Sequence, residues 1–263
     1  MELPENFTLY LMTPPQQISK AQQYGLTPAY MTYRVGNGPH LFRTQTAVST
    51  RGGIMVADHG GYDGQGNPEP FCQEIIRECS ARSFQGVFFD FEGPAIPVLR
   101  RALEHLAPVF QKRRWSLYVP ESYALSSPAV KVVIPTALSG GSLRQRLGQA
   151  VQTYGADRTI LGLEWAAEDF TLPAMNGSGQ ALSWDELERL LRQRSPAVYF
   201  SDELCAHYFT YMHTGQSAHF TLYDDPASMA KKLFVASGLG IREGFLPDPQ
   251  RAGALEELLR TPA

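Results

Sequence analysis

The chain has 263 residues, of which 43% are hydrophobic and 19% charged, with a formal net charge of -3 and no block of like charge. That balance supplies a large core and excludes an intrinsically disordered chain. It also offers neither a polybasic membrane patch nor a basic surface for nucleic acid.

Apolar runs of strand length alternate with helical patterns along the chain. The predicted strands are Phe7–Met12, Ala29–Val35, Gly53–Asp58, Gly86–Glu92, Ser116–Pro120, Val130–Ala137, Thr159–Trp165 and Gly240–Leu246. Several are apolar on both faces, as in a parallel sheet covered on both sides. Helical periodicity fills Pro68–Phe84, Ile96–Lys112 and Gly141–Tyr154, and a further helix opens with Asp225 as N-cap and Pro226 as first helical residue. Strand followed by helix, repeated, predicts a parallel sheet. Eight such units in this length predict an α/β fold of the closed (β/α)8 TIM-barrel type, one domain over residues 1–263. The rhythm breaks once, at about 168–223. A helix in SWDELERLLRQR carries a capping box, with Ser183 three residues before Glu186, and the aromatic β-like runs AVYFS, AHYFTYM and HFTLYDD follow. This stretch is predicted to be a small β-rich insertion between strands seven and eight.

Three cysteines, Cys72, Cys79 and Cys205, form no disulfide framework and read as buried thiols. The opening MELPENFTLYLMTPPQQ lacks the basic and apolar regions of a signal peptide, which predicts a chain made without an export signal. No stretch approaches the roughly 18 apolar residues of a membrane span.

The strongest chemical signal lies in SFQGVFFDFEGP. Period-2 alternation puts Phe88, Asp90 and Glu92 on one face of the strand and Phe89 and Phe91 on the other. Both acids sit at the C-terminal end, where α/β barrels carry their active sites. Two carboxyls close together in apolar surroundings cannot both ionise easily, so one is raised toward the range of a general acid. An equally simple alternative is that they cap the strand end or pair with an arginine.

The octapeptide Gln85-Gly86-Val87-Phe88-Phe89-Asp90-Phe91-Glu92 resembles the D-x-x-D-x-D-x-E signature of the family 18 glycoside hydrolases in its last two acids. RTILGLEWAAEDFTLP and the run from HYFTYM to FLPDP are similar in order and spacing to the spore cortex-lytic branch of that family, so the resemblance spans Ser83 to Pro249. It implies a chitinase-like barrel, peptidoglycan or chitin-like glycan as substrate and a link to sporulation, and with the lack of a signal peptide the expected place is cytoplasmic or spore-associated. It also implies Glu92 as general acid/base and Asp90 as the group orienting the substrate's 2-acetamido arm, which attacks the anomeric carbon itself. The chain departs from the family in four places. Gln85 and Phe88 replace the first two acids, Ala137 and Leu138 stand near the sixth-strand Tyr and Asp, and Phe245 replaces the Trp that floors the sugar subsite.

Other residues at predicted strand ends are candidate substrate contacts: Asp58, Glu121, Tyr123, Glu164, Trp165 and Phe245. Trp165 offers an aromatic face to a sugar ring, and Tyr123 is the candidate for the missing tyrosine. Asp58-His59 lacks the further histidines of a metal site, and GGYDGQGNPE matches no phosphate-binding fingerprint, so no metal and no cofactor is expected. The leading expectation is hydrolysis of an N-acetylglucosamine-containing glycan. A barrel that binds glycan or a protein partner without turnover is the second reading. Glu121 paired with Glu92 in a two-carboxylate glycosidase is the third. No nucleic-acid or membrane partner is expected.

Overall fold

The computed structural model describes residues 6–44, 51–173, 179–212, 217–249 and 251–260. The first half runs β1 (Thr8–Thr13), α1 (Ile18–Gln23), β2 (Thr27–Gly36), β3 (His40–Arg43), β4 (Ile54–Asp58), α2 (Pro68–Arg82), β5 (Gly86–Asp90), α3 (Pro97–Arg113) and β6 (Ser116–Pro120). The second half runs β7 (Val130–Pro135), α4 (Leu143–Tyr154), β8 (Thr159–Gly162), β9 (Ala167–Leu172), β10 (Gln180–Ala181), α5 (Trp184–Arg194), β11 (Tyr199–Ser201), β12 (Ala206–Met212), β13 (Ala218–Tyr223), α6 (Pro226–Gly238), β14 (Glu243–Pro247) and α7 (Ala254–Arg260).

Parallel pairing runs β1-β14-β8-β7-β6-β5-β4-β2 and returns from β2 to β1, so eight strands close a barrel. β3 is an antiparallel addition to β2. The (β/α)8 architecture expected from the strand–helix rhythm is therefore present. The predicted strand boundaries hold to within a few residues, with one correction that matters: β5 stops at Asp90, not Glu92. The amide of Phe91 turns back to donate to the carbonyl of Phe89 at 2.9 Å, which takes the chain out of the ladder.

Alternation along β5 divides two cores. Val87 and Phe89 point outward into the layer under α2 and α3, with Phe71, Ile75, Leu99 and Leu103. Phe88 points into the barrel, where it joins Tyr10, Ile54, Val56, Tyr118 and Phe245. Phe245 stacks on Phe88 at 4.5 Å and on Tyr10 at 4.9 Å between ring centroids. These rings fill the barrel interior, so it is a packed core rather than a channel.

The insertion is a five-stranded antiparallel sheet of order β10-β9-β13-β12-β11 between the seventh and eighth barrel strands. The capping box that opens α5 forms as its sequence predicts, with the Ser183 and Glu186 side chains each accepting from the other's backbone. α5 then buries Leu187 against Phe209 and Tyr223 on one face of the sheet. The sequence pattern did not reveal the short β3 and β10, nor β9, whose AEDFTL has no period-2 alternation of apolar residues. A cross-strand network holds β9 instead. Asp169 accepts from Thr221 at 2.8 Å and Tyr211 at 3.2 Å, and lies 2.6 Å from His219 Nδ1. Among the described residues no helix is long and apolar enough to cross a membrane.

Candidate functional site at the barrel mouth

The C-terminal ends of β2, β4 and β5 bring three charged side chains to one level. Register pairs Arg34 with Asp58 and Asp58 with Asp90. Side chains at the same level of adjacent parallel strands point the same way, with strands about 4.8 Å apart. Arg34 forks onto Asp58, with Nε at 2.6 Å and Nη2 at 3.1 Å, and the Gly60 amide donates to the same carboxylate at 2.9 Å. Asp58 is therefore occupied. Asp90 is not: it is half-buried, and no side chain or amide among the described residues hydrogen-bonds to it.

Loss of hydration raises the Asp90 carboxyl above the usual aspartate range. Repulsion from Glu92 and Asp58 adds to that shift, and His59 opposes it. Glu92 follows the turn, stands exposed, and precedes Gly93, whose φ of +73° suits glycine at the reversal. Asp90 and Glu92 are thus within electrostatic reach of each other at the mouth, although Glu92 has left the strand.

The other predicted contacts are distributed unevenly. Glu164 and Trp165 follow β8 and line a cavity of about 230 Å3 closed by Trp184, Asp224, Pro247 and Arg251. The Trp165 indole N–H donates to the Pro247 carbonyl at 2.9 Å, which fixes its ring as a half-buried wall. Glu164 is exposed at the rim, and its carboxyl is raised chiefly by the hydration lost to the pocket walls. Lys232 pulls it back, and Asp224, Glu168 and Asp90 push it further up. Glu164 therefore shares the field of Asp90.

Two residues, Tyr123 and Phe245, need correction, and a third, Glu121, has a partner within the fold. Tyr123 is 0% exposed and lies outside the barrel, its ring against Phe91 and its hydroxyl accepting from the Ile96 amide at 2.8 Å. The cause is the short 3-10 turn Glu121–Tyr123 after β6, which rotates Tyr123 into the helix layer. Phe245 is 1% exposed within the aromatic core, so it seals the barrel and floors no open subsite. Glu121 is ion-paired with Arg146 of α4.

Sequence reasoning missed a buried polar cluster behind the cavity. Asp224, 3% exposed, accepts from Lys232 Nζ at 2.7 Å and from the Ser228 hydroxyl at 2.7 Å, and its amide donates to Ala166 at 2.7 Å. Burial pushes the Asp224 carboxyl up, and Lys232 draws it back. The spacing in DDPASMAKK was the available signal: residues 224, 228 and 232 fall one helical turn apart. A smaller cavity of about 90 Å3 lies between Lys232 and Ala137–Leu138, where the family's tyrosine and aspartate were missed in the sequence. Among the described residues no three metal-ligating side chains converge.

No protein-family model matches the chain, and no curated protein sequence matches it. Solved structures do. The spore cortex-lytic enzyme SleL of Bacillus megaterium QM B1551 aligns at 17% identity over 94% of this chain and 72% of that one, with a TM-score of 0.65. A chitinase from Chromobacterium violaceum ATCC 12472 aligns at 13% identity over 97% of this chain and 100% of that one, with a TM-score of 0.69. A class V chitinase variant from Nicotiana tobaccum in complex with NAG4 aligns at 11% identity over 97% and 98%, also with a TM-score of 0.69. The fold of this chain is the chitinase-type (β/α)8 barrel.

Proposed function

We propose that the chain is a glycoside hydrolase acting on an N-acetylglucosamine-containing glycan, peptidoglycan or chitin-like, by substrate-assisted retaining hydrolysis. The observation that carries this reading is Asp90, a half-buried carboxyl without a described hydrogen-bond partner, beside Glu92 at the mouth of a sealed barrel. Glu92 protonates the glycosidic oxygen as the bond to the anomeric carbon breaks. The 2-acetamido oxygen closes onto that carbon while Asp90 accepts its N–H. Glu92, now a carboxylate, takes a proton from water, which opens the ring intermediate with retention. Asp58, in register with Asp90, supplies the acidic neighbour that Phe88 does not.

Asp90→Ala tests the acetamide role. It should cost more on N-acetylglucosaminides than on matched glucosides, which have no acetamide to orient. Equal losses on both would remove the substrate-assisted step. The second reading, a barrel that binds glycan without turnover, is favoured by one observation: buried Tyr123 does not replace the missing tyrosine. A wild-type protein that binds N-acetylglucosamine oligomers yet leaves chitin- and peptidoglycan-derived substrates intact would establish it.

A further inference from the structure

The cavity lined by Glu164 and Trp165, whose Glu164 lies within electrostatic reach of Asp90, has an unusual balance of charge. Each of its acids but one has a polar partner, and the Ser228 amide donates to Asp225 at 2.9 Å. Asp224 holds Lys232 at 2.7 Å, Asp225 lies 3.3 Å from His207 Nδ1, and Asp248 holds Lys20 at 2.5 Å. The cavity's cation, Arg251, pairs with Glu257 and lies over the Trp184 ring at 5.3 Å. Glu164 is the remaining acid of the lining. Among the described residues it has neither a hydrogen bond nor an ion pair, and the nearby Lys232 is committed to Asp224. The wall beside it is the Trp165 ring, whose N–H is already used on Pro247. The site thus presents an aromatic face and one free carboxylate, in a space of about 230 Å3.

We infer that this cavity is a subsite for a sugar unit carrying a free amino group, a de-N-acetylated hexosamine, with the Trp165 face against the ring and Glu164 on the ammonium. The inference rests on the glycan reading of the barrel mouth and extends it to the substrate's acetylation pattern. An acetylated unit belongs at Asp90, where the acetamide reacts, and a free-amine unit belongs beside it at Glu164. A primary ammonium meets the carboxylate with a charge-assisted hydrogen bond. A neutral N-acetyl group in the same place would leave the carboxylate without a cation while taking away part of its water. The neighbouring acids Asp90 and Glu168 add to the attraction for a cation.

The test is calorimetric binding in the Glu92→Gln background, which keeps the ligands intact. The ligands are a fully acetylated N-acetylglucosamine tetramer and a tetramer of mixed acetylation. The mixed tetramer should bind roughly fivefold more tightly, the scale of one partly screened ion pair of about 1 kcal/mol. That preference should shrink at high salt, and Glu164→Gln should bring the two affinities to within about threefold. Tighter or equal binding of the fully acetylated tetramer overturns this inference and leaves the proposed function standing. A preference that survives Glu164→Gln also overturns it. Binding of neither tetramer overturns both.

Discussion

The two ends of the barrel treat their carboxylates in opposite ways. At the N-terminal end, Glu243 accepts from the Tyr10 hydroxyl at 3.0 Å and the Tyr118 hydroxyl at 2.9 Å, and it is ion-paired with Lys131. The two phenols also lie 2.9 Å apart, and burial raises the pKa of each. At the C-terminal end, Asp90, Glu92 and Glu164 have no hydrogen-bonding side chain among the described residues. Buried polar groups are normally satisfied. The lower network therefore satisfies its partly buried carboxylate within the fold, whereas Glu92 and Glu164 are open to water and Asp90 is half-buried, at the end of the barrel where this architecture carries its sites.

Four variants can break or sharpen that contrast. The largest effect is expected from Glu92→Gln, which should lower turnover about 10²–10⁴-fold, the worth of general acid/base assistance, with the melting temperature unchanged. A hydrolysis rate equal to wild type would detach Glu92 from the chemistry. Next, Lys232→Met tests a carboxylate that is buried and fully partnered, Asp224. It leaves Asp224 buried without its cation and should cost about 3–5 kcal/mol in denaturant unfolding. A loss below about 1 kcal/mol would mean that Asp224 is protonated in the native state.

At the lower end, Glu243→Ala strips the two tyrosine hydroxyls of their shared acceptor and frees Lys131. It should cost about 1–3 kcal/mol while leaving glycan affinity unchanged. A change in affinity without a change in stability would reverse the assignment of the two ends. The smallest effect is expected from Asp90→Asn. Because the folded Asp90 carboxyl is raised, the native state holds a proton that the unfolded chain has released. Stability then falls as pH rises from the ordinary aspartate range through the folded value. Asparagine removes that cost, so the variant should melt about 1–3 °C higher at neutral pH, and the gain should vanish below about pH 4. A lower melting temperature at neutral pH would show that Asp90 is stabilised by a partner rather than strained.

The candidate site was legible where its residues lie close in sequence. Asp90 and Glu92 could be placed at the mouth because strand alternation and barrel polarity are both local readings. Asp225 as N-cap and Ser183–Glu186 as capping box were legible for the same reason, since each motif closes within four residues. Tyr123 and Glu121 were not, because a single 3-10 turn decides whether a residue after a strand faces the mouth or the helices. The Asp169–His219 contact joins residues 50 apart on strands β9 and β13, and no local pattern announces it.

By itself, then, the sequence determined the alternation of strands and helices, the closed barrel, the position of the insertion, and the pair of acids at one strand end. These follow from periodicity and capping, which act over a few residues. The tertiary structure alone decided which carboxylates are neutralised and which are free. Arg34 reaches Asp58, Arg146 reaches Glu121, and Lys232 reaches Asp224 across packed elements, while Glu164 and Asp90 are left without a hydrogen-bonding partner among the described residues and within each other's electrostatic reach. Charge pairing depends on distances between side chains set by barrel closure and by the docking of the insertion.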